Sequence, residues 1–162
     1  MLALSYNWWK FLHVAGVIAF VLFHGVSAFA ALRVRKERDR ERIATLLEFS
    51  GSALLGMYVS LVWLVAFGVV AGIQGGYWDD GWFWISLVVL VLVTGEMSAV
   101  SRPYYARVKE AIEVRPSGVP RRSDEELEQI LRSPVALWNA GVGFAALLVI
   151  TWLMIFKPFQ VF

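Results

Sequence analysis

The chain has no cysteine, only two histidines (His13 and His24), and only 17% charged residues over 162 positions. Without a thiol there is no disulfide, no thiolate nucleophile, no iron–sulfur cluster and no cysteine-based zinc site. Ordinary soluble domains carry about 25% charged residues, so the polar surface of a water-soluble globule is missing. A formal net charge of +2 is too small to argue for nucleic acid, and no such partner is expected. A phosphate-binding glycine loop, HExxH and GxSxG are also missing. No catalytic constellation is recognisable, so no reaction follows from the sequence.

What is present is apolar: 59% of the residues, with a mean hydropathy of +0.62. Four runs are long enough to cross a hydrocarbon core of about 30 Å, which takes about 20 helical residues. They are Trp8–Leu32 (8–32), Gly51–Ile73 (51–73), Trp82–Val100 (82–100) and Val135–Phe156 (135–156). The runs are continuous rather than alternating, and backbone facing lipid must be helical or in a closed barrel. The expected fold is all-α: a single integral membrane domain over 1–162, a four-helix transmembrane bundle running up and down. Ala28-Phe29-Ala30 looks like a signal-peptide cleavage site. The apolar stretch before it is too long for one, and the basic run after it opposes translocation, so the segment is expected to be retained.

The charges give the orientation. All basic residues except Lys10 and Lys157 fall between spans one and two (33–50) or between spans three and four (101–134). The segment joining spans two and three has no Lys or Arg and carries Asp79 and Asp80. The positive-inside rule places both basic loops in the cytoplasm, with N-out/C-out termini, in a bacterial-type cytoplasmic (inner) membrane. Trp8, Trp9, Trp78, Trp82, Trp84 and Trp152 would then form an outer aromatic belt.

Arg33–Arg42 has no Gly or Pro and is expected to continue the first helix, with an Arg33–Glu37 pair one turn apart. It reads as a topology anchor or as a patch for anionic lipid or a partner. In the second basic loop Pro116–Pro120 is a breaker. Ser123 and Glu126 have capping-box spacing, and Ser133-Pro134 is expected as N-cap and first residue of the last span. Gly68, Gly72 and Gly76, with Ser52 and Gly56, have the small-residue spacing that lets helices approach closely, within the bundle or in a homodimer.

Ionisable groups inside a membrane are costly and usually face the bundle interior. His13 and His24 are eleven residues apart, about 16.5 Å along a helix, and about 20° short of or beyond whole turns. Both rings are therefore expected on one face, in a cavity lined by Gly16 or Gly25. Depth matching puts His24, Glu96, Met97 and Asn139 in the half nearer the basic loops, and His13 and Met154 in the other half. His13 and His24 are candidate metal or haem-iron ligands, with Met97 and Met154 as second donors. Glu96 and Asn139 are candidates for a proton relay or a polar cluster, with Glu96 expected to contact His24 or Asn139. The plainer alternative is that the histidines only hydrogen-bond neighbouring helices.

The segment Lys10-Phe-Leu-His13-Val-Ala-Gly16-Val-Ile-Ala-Phe20, followed by a basic loop, resembles the opening of small bacterial membrane proteins near the CopD-like families. Their first helix reads K-x-L-H-h-h-G, with h apolar, and three spans follow it. Much of that group has no known function. The membrane protoporphyrinogen-oxidase family shares K-x-L-H and binds haem b, so the resemblance implies a haem-ligand role for His13. That family's aromatic–arginine segment after the first helix has no counterpart here. The expectation is a small polytopic membrane protein binding haem b, or a metal, through histidines of its first span for electron transfer or redox chemistry. The rivals are a non-enzymatic subunit of a larger membrane complex and a proton or metal-ion carrier. The bilayer is the certain partner, and a homo-oligomer or larger complex is open.

Overall fold

The computed structural model describes residues 5–160. Four long helices dominate it: α1 (Tyr6–Val34), α2 (Arg40–Gln74), α3 (Gly81–Ile112) and α5 (Val135–Phe156), with a short α4 (Asp124–Leu131) before the last. Each expected span lies inside one of them. Of the most apolar window in each long helix, only 11–17% of the residues are buried by protein. The rest present side chains outward, as helices solvated by lipid must. The all-α four-helix transmembrane bundle expected from the runs is the observed architecture.

The connections are set by local chemistry. α1 ends at Val34 instead of continuing to Arg42, and the chain turns over residues 35–39. Asp39 causes the break: its carboxylate accepts from the backbone N–H of Glu41 (2.9 Å) and Arg42 (3.1 Å), capping a new helix. The Arg33–Glu37 pair therefore does not form. Most of the loop expected at 33–50 is instead the first three turns of α2, and 101–112 is the last part of α3. Ser123 and Glu126 form the expected capping box on α4. At α5 the N-cap is Pro134, one residue later than expected, with Ser133 Oγ accepting weakly from the Val135 N–H at 3.5 Å.

α1 and α2 pack as one close pair, and α3 and α5 as another; contacts between the pairs are sparse. Glycine makes the closeness possible. A Cβ at Gly16 would lie 2.6 Å from Trp63 Cδ1 and 3.0 Å from the Leu64 backbone, and one at Gly56 would strike the Phe23 ring. Gly72 gives the same space to Phe83. The small residues at Gly56, Gly68 and Gly72 are thus used inside the bundle.

The ends differ. At the basic end Val34, Ile43, Tyr104, Val108, Ala111, Leu127 and Leu131 form a closed core that docks α4. Arg40 ties it down, donating to the carbonyls of Ala111 and Arg122 and to Asp124. At the other end Trp82, Phe83 and Leu153 pack under Tyr77. Trp78 and Trp84 stack edge to face at 4.8 Å.

Candidate functional site

His13 lies in the seam of the first pair. Its Nδ1 is 2.7 Å from the carbonyl oxygen of Leu64 on α2. A carbonyl only accepts, so a proton sits on Nδ1. The approach needs Gly68, where a Cβ would stand 2.7 Å from that same nitrogen. Trp63 answers in the opposite sense, donating from Nε1 to the carbonyl of Leu12 at 2.9 Å.

His24 has different surroundings. Its ring stacks on Phe20, one turn earlier, at 5.4 Å and 9°. It makes no hydrogen bond among the described residues. Across the gap between helix pairs it meets Gly143 of α5: a Cβ there would lie 3.4 Å from His24 Nε2, 3.5 Å from Met97 Cε and 3.6 Å from Met97 Sδ. Three helices therefore bring an imidazole nitrogen and a thioether sulfur onto one bare stretch of backbone.

A second polar layer sits one turn nearer the basic end. On α5, Asn139 is four residues before Gly143; on α3, Ser101 is four after Met97; on α1, Ser27 is three after His24. Asn139 donates from Nδ2 to Ser101 Oγ. Its Oδ1 and the hydroxyl of Ser27 are buried without a hydrogen-bond partner. An unpaired buried polar atom costs roughly 1–3 kcal/mol, so two beside an unpaired imidazole mark a place fitted to polar company.

Three sequence expectations are corrected here. His13 and His24 do not share one cavity: His13 is taken up by α2, His24 by α3 and α5. Gly16 lines no cavity either, because Trp63 fills the space beside it. Among the described residues no three His, Asp or Glu groups converge as a metal-holding cluster. Met154 is 36% exposed on α5, away from the His24 layer. Glu96 stays between α3 and α5, but its partner is Trp138, whose Nε1 donates to Oε1 at 2.7 Å; Oε2 is buried and unpaired. It reaches neither His24 nor Asn139 by a hydrogen bond. Residues 96 and 97 are 100° apart on α3, so turning Met97 toward α1 turns Glu96 to the flank.

Gly143 and Ser101 were missed from the sequence. The i,i+4 spacing of Asn139 and Gly143 in an otherwise apolar run was the signal available.

The fold and this seam define a class: a four-span α-helical integral membrane protein with a small polar site buried between its two helix pairs. Residues 7–158 match the family model of predicted integral membrane proteins designated DUF2269, and the chain belongs to that family. Comparison with curated proteins and with solved structures gives no match.

Proposed function

We propose that the protein is a membrane electron-transfer component that would bind haem b between its two helix pairs, held by His24 and Met97. The observation that carries this reading is the convergence of His24 Nε2 and Met97 Sδ on Gly143. His/Met ligation is an established way to hold haem iron and raises its potential, and a bundle core is where facing helices build such sites. The donor set fits the group on three counts. The imidazole nitrogen is unengaged, the glycine leaves backbone bare beside both donors, and the contacts between the helix pairs are sparse. Ser27, Ser101 and Asn139 would hold polar substituents at the basic end, and Phe20 holds the plane of the His24 ring. When bound, the group would supply one-electron redox chemistry.

In this reading His13 is a packing residue, and Met154 has no part in ligation. The basic loops face the cytoplasm of a bacterial-type inner membrane.

The test is the visible spectrum of the protein purified from cells supplied with haem. A Soret band is expected in the wild type. It should vanish or shift in His24→Ala and Met97→Leu, and persist in His13→Ala. A colourless wild-type protein overturns the proposal in favour of the subunit role.

A further inference from the structure

The basic end carries a groove outside the helix-pair seam, bordering the core that docks α4. It measures about 580 Å³ and lies between the end of α3, α4 and the first residue of α5. Part of its lining is apolar, from Val100, Pro103, Ile130 and Val135. The polar part includes Arg107, Gln129 and Ser133, beside Arg122, Glu110 and Glu126. Val100 and Val135 are where the apolar runs of α3 and α5 end and begin, so the groove opens at the hydrocarbon boundary.

The charges in it are already sorted. Arg122 is held between Glu110 (3.0 Å) and Glu126 (3.4 Å), which occupies both carboxylates. Arg107 makes no hydrogen bond or ion pair among the described residues. The Ser133 oxygen accepts only the long bond from Val135, which leaves its proton to donate. The groove thus offers one uncompensated guanidinium and hydroxyl and amide donors above an apolar slot. Arg107 lies seven residues past Val100, about 10 Å along the helix. A flexible arginine stem brings its head back into a headgroup layer that is roughly 5–7 Å thick on each side.

We infer that this groove binds one membrane phospholipid, its phosphodiester against Arg107, Gln129 and Ser133 and its acyl chain along Val100 and Val135. A phosphodiester is a monoanion that only accepts hydrogen bonds, which complements a single free cation among donors. A basic pocket between helices at the headgroup level is a recurrent way to recognise such groups.

The experiment is native mass spectrometry of the full chain released from nanodiscs of phosphatidylglycerol and phosphatidylethanolamine. One retained phospholipid per chain is expected. Arg107→Ala should lower the retained fraction about fivefold, the size of one basic side chain at a membrane surface. Arg115→Ala, in the exposed loop and outside the groove, should leave it unchanged. Ile130→Trp, which keeps the guanidinium but fills the slot, should also lower it. Thermal unfolding in lipid-free detergent should be the same for Arg107→Ala and wild type, separating loss of lipid from loss of fold. Equal losses in Arg107→Ala and Arg115→Ala would overturn the assignment, as would full displacement of the lipid by inorganic phosphate or no retained lipid at all.

Discussion

The Nδ1–H of His13 donates to the Leu64 carbonyl 2.7 Å away on α2, and only a glycine at position 68 lets the ring come that close. The other histidine, on the same helix, has no hydrogen bond among the described residues and faces a different glycine, Gly143. One imidazole ties two helices together, while the other keeps both its nitrogens free.

Gly68→Ala should push the His13 ring off the Leu64 carbonyl. An interhelical hydrogen bond in a membrane is worth about 0.6–2 kcal/mol, and a loss of that size should appear as a lower Tm in detergent. His13→Ala added to Gly68→Ala should cost little more, because the first change has already removed the contact. Fully additive losses would mean that the glycine and the histidine act independently.

At Gly143 the two obvious substitutions should separate. A Cβ there meets His24 and Met97 at 3.4–3.6 Å, ordinary contact distances, so Gly143→Ala should fold as the wild type does. Gly143→Leu overfills the site, at a cost of about 1–3 kcal/mol, and should exclude the proposed cofactor. Cofactor content per chain, read from absorbance, checks this. Wild-type content in Gly143→Leu would place any cofactor elsewhere.

Tyr77 lies in the turn before α3. Its phenol is held below its ordinary value, first by the hydrogen bond from Lys157 Nζ at 2.7 Å and then by the one from Tyr6. Because the shift is downward, the stability it contributes is present above the unfolded value near 10 and is lost as pH falls through the folded value. Alkaline titration of tyrosinate absorbance, compared with Tyr77→Phe, should show one midpoint below 10. Lys157→Gln should move it upward, and no movement would remove Lys157 as the cause.

The absence of cysteine gives a clean topology test. Single cysteines at Asp79 and Ser117 should react with impermeant reagents from opposite sides, because one membrane-crossing helix, α3, separates them. With the basic loops in the cytoplasm, as proposed, position 79 labels from outside. Labelling of both from one side would end the four-span architecture.

Much of this was legible in the residues. Apolar runs longer than the hydrocarbon core, interrupted by basic clusters, dictate four spans whatever their partners, because lipid leaves the backbone no alternative to the helix. Ser123 and Glu126 cap α4 through contacts three residues apart, which spacing alone reveals. The same local logic holds at Asp39, whose cap starts α2 and ends the first helix short of Arg42. Which helix each polar group meets was decided only by tertiary packing. Eleven residues bring His13 and His24 back to nearly one angular position on α1. An angle does not name a neighbour, and at the depth of His13 the neighbour is α2, while at the depth of His24 it is α5 with α3. Glu96 shows the same limit from the other side. Depth matching placed it level with Asn139, but a rotation of 100° between consecutive residues handed it to Trp138. Sequence sets how far along a helix a group lies; the mutual rotation of packed helices sets what it touches.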